Sequence, residues 1–256
     1  MLAVNSRRSF FDPQDFPELL KLRDQWETIR DELVRNVDRV VEIPSPQYEL
    51  MAPGSTWRKL QLHAWGLPVK KNLELLPATA ALIQGVPKLM QAAFYVLGPH
   101  SHLLPHQGVT ERVLRCHIGI ICPDDCALRV DAETWAEREG GILVFDDTLE
   151  HEAWNRSDRD RYVLHLDFFR PEVPLDDQAG QWVKDLRLRI FRTYPRVLPH
   201  VLAAGMEPDR EILAWFRDMN LSFHDQSVYT SEEWRLFVDA VYPGGSPPPA
   251  GRGGDS

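Results

Sequence analysis

Two stretches of this chain alternate, residue by residue, between an apolar face and a face that carries arginine and histidine. In residues 112–121, Leu114, Cys116, Ile118 and Ile120 share one side, while Val113, Arg115, His117, Gly119 and Ile121 share the other. In residues 161–169, Tyr162, Leu164, Leu166 and Phe168 face one way and Arg161, Val163, His165, Asp167 and Phe169 the other. Side chains alternate across a β-strand, so both stretches read as strands with one greasy side and one cationic side. A strand half-exposed to water normally shows Lys, Glu or Thr on its wet side. These two show the groups that grip carboxylates and metals. The pattern fits a barrel whose outer face packs on other elements and whose inner face lines a polar cavity. Arginine buried in such a cavity is costly without an anion, so Arg115 and Arg161 call for a carboxylate-bearing ligand.

Further short β-rich runs, expected near 94–97, 126–130, 141–146 and 149–154, are separated by turn residues, as in a sandwich or barrel. Six of the nine histidines fall between residues 100 and 165: His100, His102, His106, His117, His151 and His165. His106 follows Pro105, and His151 follows the run Ile142-Leu-Val-Phe and two aspartates. Two imidazoles at strand ends, facing a cavity with two arginines, suit a mononuclear iron site that keeps positions open for a cosubstrate and O2.

The flanks read as helical. Asp12-Pro13 offers a cap and a first-turn proline, and Phe16, Leu19, Leu22, Trp26, Ile29 and Leu33 then form one apolar stripe that Pro44 and Pro46 end. A strand and a turn are expected over 57–72 and a short helix over 77–83. After Pro174, Trp182, Val183, Leu186 and Ile190 line one helix face, with Lys184, Arg187 and Arg192 on a solvated side; further helices are expected at 208–218 and 231–241. The expectation is one domain over 1–242, with a β core at about 90–172, a helical extension at about 174–242 that shapes substrate access, and a disordered tail at 243–256. A net charge of −9 argues against nucleic acid or an anionic membrane surface as partner. No run approaches the roughly 20 apolar residues of a spanning helix, and no secretion signal is evident. Three cysteines, Cys116, Cys122 and Cys126, form no disulfide framework and fit a cytoplasmic protein with structural thiols.

The segments His102-Leu-Leu-Pro-His-Gln-Gly-Val-Thr, Leu114-Arg-Cys-His-Ile-Gly-Ile, Phe145-Asp-Asp-Thr-Leu-Glu-His-Glu-Ala-Trp and then Arg161 resemble the aspartyl/asparaginyl β-hydroxylases, over roughly Phe94–Glu172. The resemblance implies a mainly β fold with flanking helices, a double-stranded β-helix (jelly roll) with helices on its outer face, and an Fe(II)- and 2-oxoglutarate-dependent oxygenase. It implies His106 and His151 as iron ligands, Arg115 and His117 near the metal-side carboxylate of 2-oxoglutarate, and Arg161 on the distal carboxylate. Trp57 matches an aromatic near the cosubstrate, and Tyr95 stands where the family has a cosubstrate-binding serine. The substrate it suggests is a small molecule or a peptidyl or carrier-bound amino acid, hydroxylated as 2-oxoglutarate becomes succinate.

In His106-Gln107-Gly108, glycine replaces the usual metal carboxylate and leaves a position for water, or for chloride in a halogenase. Asp146 and Asp147 are expected to orient His151 or to line the turn, with metal ligation as the alternative. A rival metal-cupin reading, without 2-oxoglutarate, uses His100, His102, His151 and Asn155.

Overall fold

A computed structural model of the chain describes residues 8–40, 42, 48–207 and 209–218, with a few positions between 230 and 239. Eleven strands form two sheets: β1 (Phe10–Phe11), β2 (Trp57–Ala64), β3 (Leu67–Pro68), β4 (Leu89–Leu97), β5 (Ser101–His106), β6 (Val113–Ile121), β7 (Cys126–Val130), β8 (Glu133–Ala136), β9 (Ile142–Phe145), β10 (His151–Asn155) and β11 (Arg161–Phe169). The seven-stranded sheet runs β1-β9-β6-β11-β4-β2-β3 and the four-stranded sheet β5-β10-β7-β8, with antiparallel pairing throughout the ladders. Two sheets with strands crossing between them define a jelly roll.

The outer face of the large sheet is the apolar side read from the alternation. Leu114, Cys116, Ile118, Ile120, Leu164, Leu166 and Phe168 join Leu60, Leu62 and Phe94 in one cluster. Helices α1 (Pro17–Asp24), α2 (Trp26–Asn36) and α4 (Pro77–Gln84) close it with Leu19, Leu22, Ile29, Leu33 and Ile83. Asp12 caps the short 3-10 turn Pro13–Asp15 by accepting from the Gln14 N–H. Glu32 of α2 accepts from the Ala78 and Thr79 N–H groups, each at 2.8 Å, so one buried carboxylate satisfies the first turn of α4.

Several elements differ from the sequence reading. The region 57–72 holds β2, β3 and a short helix, α3 (Lys70–Leu75), and β4 begins at Leu89 rather than residue 94. With β1 and β2 in the large sheet, the β structure reaches upstream of residue 90. Neither β5 nor β8 was expected. β5 carries Pro105, which a strand tolerates because β5 is the edge of its sheet, and β8, also an edge, is exposed along its length with no apolar face to betray it. Among the C-terminal helices α5 (Asp177–Thr193), α6 (Val197–Ala203) and α7 (Arg210–Asp218), α5 does turn Leu186 inward. Arg187, expected on the solvated side, is buried: its guanidinium pairs with Asp209 and donates to the Trp65 carbonyl, because α5 leans on the β2–β3 turn. The expected helix at 231–241 and the tail at 243–256 lie largely outside the described residues. No described helix is long and apolar enough to cross a membrane.

Candidate active site

A cavity of about 370 Å³ opens between the two sheets, lined on the large-sheet side by Lys59, Tyr95, Arg115, His117, Arg161 and His165 and on the small-sheet side by Leu103, Leu128 and Ala153. The cationic strand face is therefore the inside of the barrel. At one end, His106 and His151 lie as register partners across β5 and β10, with ring centroids 4.1 Å apart. A register shift between this pair and Ala153–Leu103 places one extra residue in β5. That bulge lets both Leu103 and His106 face the cavity although they stand three positions apart, whereas plain alternation would send one of them outward.

The two imidazoles share one tautomer. His106 Nδ1 donates to the Leu104 carbonyl at 2.7 Å and His151 Nδ1 to the Leu149 carbonyl at 3.0 Å. Each Nε2 therefore carries the lone pair. Burial lowers the pKa of His106, and burial followed by the Arg115 charge takes His151 down to about 2, so both rings stay neutral. Among the described residues no third His, Cys, Asp or Glu converges on them as a ready metal cage.

Around this pair runs a continuous polar network. Arg115 donates through Nε to Asp167 at 2.8 Å, and its Nη2 stands 3.1 Å from Asp147. Those two carboxylates keep it charged despite the desolvation that opposes it. His117 Nδ1 pairs with Glu137 at 2.8 Å and its Nε2 with His165 Nδ1 at 3.0 Å; His165 Nε2 then lies 3.1 Å from Asp167 without hydrogen-bond geometry. Two neutral imidazoles carry two protons and three contacts need three, which accounts for the unmade bond. Arg161, 2% exposed, ion-pairs with Glu137, and its Nε has no partner. Burial alone would raise the Glu137 carboxyl, but Arg161 and His117 hold it at about 2.

Every residue named from the sequence (His106, His151, Arg115, His117, Arg161, Trp57 and Tyr95) lines this one cavity. Three particulars differ from expectation. Arg161 does not wait for a ligand, because Glu137 already meets its charge. Neither aspartate orients His151, whose Nδ1 is held by a backbone carbonyl; Asp146 takes the other expected role, in the turn, accepting from the Thr148 N–H and hydroxyl and pairing with Arg170, and Asp147 faces the cavity with Oδ1 unpaired. The room beside Gly108 is filled by that same Asp147, since a Cβ at residue 108 would fall 2.0 Å from its Oδ2. The rival cupin set does not assemble. His100 pairs with Asp158, His102 with Glu152, and Asn155 donates to the Leu97, Gly98 and Arg159 carbonyls.

Sequence reasoning missed Lys59 and Glu137. Lys59 was within reach, because Leu60, Leu62 and Ala64 alternate with Lys59, Gln61 and His63 as in the two founding strands. Glu137 follows an exposed edge strand and carries no such signal. The cysteines are free thiols, with Cys116 buried among the outer-face hydrophobics.

A jelly roll with paired histidines at one end of its cavity and arginines, histidines and carboxylates along its interior has the form of an oxygenase-like barrel. Residues 23–171 match the model of the aspartyl/asparaginyl β-hydroxylase family, more than half of the chain, and the protein belongs to that family. It is 35% identical over 169 residues to an ornithine lipid ester-linked acyl 2-hydroxylase of Rhizobium tropici, covering 63% of this chain and 60% of that one. It is 30% identical over 165 residues to the human aspartyl/asparaginyl β-hydroxylase, covering 62% of this chain and 22% of that one. Among solved structures, a Pseudomonas putida prolyl-4-hydroxylase aligns over 64% of this chain and 91% of its own, with 15% identity and a TM-score of 0.37.

Proposed function

We propose that the protein is an Fe(II)- and 2-oxoglutarate-dependent hydroxylase, with His106 and His151 holding the metal. The observation that carries this reading is the histidine pair: two neutral imidazoles side by side, each with its proton committed to a backbone carbonyl, so that both Nε2 atoms are acceptors, that of His151 meeting the Arg115 Nη1 at 3.4 Å, a contact a metal would replace. The donor set fits a hard-to-borderline divalent ion that keeps open positions. Asp147 Oδ1 and Arg161 Nε, two buried polar atoms without partners on the same cavity wall, fit a site that expects further polar ligands. When bound, iron(II) with 2-oxoglutarate and O2 supplies the oxidation that converts a substrate C–H bond to C–OH, with succinate and CO2 as coproducts.

The chain's own residues position and exclude. Arg115 presents a donor to the metal-side end of the oxo acid, His117, its one proton committed to Glu137, lines the wall behind it, and Trp57 and Tyr95 wall it against β2 and β4. The 51% of Trp135 left exposed lies outside this chamber, whereas Trp182, Leu186 and Ile190 of α5 give the cavity a partly apolar mouth, which Arg189 and Thr193 also line. That mouth suits a substrate with a hydrocarbon part better than a bare aspartyl or asparaginyl side chain, and an acyl group is the reading we prefer. The halogenase alternative fits less well, because chloride beside Gly108 would meet the Asp147 carboxylate. The test is anaerobic addition of 2-oxoglutarate to the iron(II) protein, watched for a visible charge-transfer band, followed by succinate release on admitting air. A colourless mixture that forms no succinate would rule the reading out.

A further inference from the structure

β2 sets Trp57, Lys59 and Gln61 along the inner face of the barrel, where all three line the cavity. The Lys59 ammonium stands 4.1 Å from the centroid of the Trp57 ring and 4.8 Å from that of Tyr95. Among the described residues no carboxylate lies within ion-pairing distance of it, and its ammonium meets ring faces rather than a hydrogen-bond acceptor. The two arginines of the inner face are in a different position. Arg115 is matched by Asp167 and Asp147, and Arg161 by Glu137. A ligand carboxylate directed at either arginine would arrive beside a carboxylate that is already there, although the Arg161 Nε keeps one donor without a partner. Among the described residues, Lys59 is the cation on the inner face of the sheets that has no ion pair; Arg189, which also lines the cavity, stands exposed on α5.

Physical chemistry makes that isolation costly. Removing an ammonium from bulk water is expensive, and contacts with two ring faces return only part of that cost. Burial first, and then the nearby Arg115 charge, accordingly lower Lys59 to about 7. A carboxylate arriving in the cavity would restore the charged form and gain a charge-assisted hydrogen bond. The rings of Trp57 and Tyr95 meet edge to face, with centroids 5.4 Å apart, and Tyr95 is itself stacked on His165 at 3.9 Å, so the cradle under the ammonium is braced.

We propose that Lys59, held between Trp57 and Tyr95, is the cation that anchors a carboxylate of the small molecule bound in the barrel. The shared chemistry has two possible sources, the distal carboxylate of 2-oxoglutarate or the carboxylate of an acyl substrate. Only the first of these rests on the oxygenase reading.

The full-length iron(II) protein, kept anaerobic, is titrated by calorimetry with two pairs of probes. These are 2-oxoglutarate against 2-oxobutanoate, which keeps the oxo-acid end and lacks the distal carboxylate, and octanoate against octanamide. Wild type is compared with Lys59→Met, Lys59→Gln and Lys59→Arg, and unliganded melting curves confirm that each variant folds. The Met and Gln variants are expected to weaken one carboxylate probe roughly ten- to hundredfold, leave the counterpart that lacks that carboxylate unchanged, and be rescued by Arg. Loss confined to 2-oxoglutarate identifies the cosubstrate as the source, and loss confined to octanoate identifies the substrate. Either result supports the assignment. Binding of every probe by Lys59→Met and Lys59→Gln as tightly as by wild type overturns it while leaving the oxygenase reading intact. Wild-type protein that ignores both oxo acids yet binds octanoate through Lys59 would remove the oxygenase reading and keep the anchor. Wild-type protein that binds no carboxylate at all removes both.

Discussion

His106 and His151 owe their common tautomer to two backbone carbonyls, so their capacity to hold a metal is built into the strand ends that carry them. His106→Ala and His151→Ala are expected to abolish iron binding and turnover while the circular dichroism spectrum stays native. His102→Ala, whose imidazole pairs with Glu152 and does not line the cavity, should keep its metal. Metal content after reconstitution and desalting checks all three. Gly108 poses a different question at the same scale. Its backbone is not in the left-handed region; what excludes a side chain is the Asp147 carboxylate, 2.0 Å from where Cβ would be. Gly108→Ala should destabilise by about 1–3 kcal/mol through overpacking. Placed on an Asp147→Ala background, the same change should cost close to nothing, and urea unfolding of the four proteins closes the cycle. An additive pair would mean that the glycine serves something other than room for Asp147.

Among the elements, the strands with an apolar face and a cationic face were legible because alternation is a local property of the chain, and the structure turns those faces as the alternation requires. The helical stripe from Phe16 to Leu33 was legible for the same reason, although it is broken into α1 and α2 at Gln25. β5 was not legible. Its proline hides it, and the bulge that aims His106 inward is visible only once β10 lies beside it. The start of α4 is another tertiary feature. No capping side chain precedes Pro77 in sequence, and the cap arrives from Glu32, more than forty positions upstream. Glu32→Ala should leave three donors of α4 unmet and lower stability by about 2–3 kcal/mol. Hydrogen exchange should show the first turn of α4 losing protection before the strands do, and uniform loss across the barrel would count against a local cap.

For the whole molecule, the buried network ties stability to pH. Burial takes His165 down to about 3, against the pull of Asp167, from an ordinary 6.5. Glu137 lies at about 2 against an ordinary 4.5. Both folded-state values are depressed, so in the acid range the unfolded chain binds more protons than the folded one. The stability these groups contribute is present above their unfolded values and is lost as pH falls, first below about 6.5 through His165 and then from about 4.5 towards 2 through Glu137. The melting temperature of the metal-free protein should therefore drop on going from pH 7 to pH 5 and fall further below pH 4.5. His165→Asn should shrink the first step, the remainder belonging to His151, His106 and His117, which burial also depresses; a step that survives it unchanged would place the titration elsewhere.

The sequence by itself determined that the chain builds a β barrel with helices outside and that its inside is cationic, with Arg115, His117, Arg161 and His165 on it. Periodicity carries this information, because an apolar stripe must be buried wherever the partner comes from, while Trp57 and Tyr95 were legible only through the family resemblance. Tertiary structure alone decided how the interior charges are matched. Glu137, just past an exposed edge strand, reaches Arg161 and His117, Asp147 fills the room beside Gly108, and Lys59 is left with aromatic rings but no carboxylate. Ion pairing depends on distances of a few ångströms between residues far apart in the chain, and no spacing along the sequence encodes them.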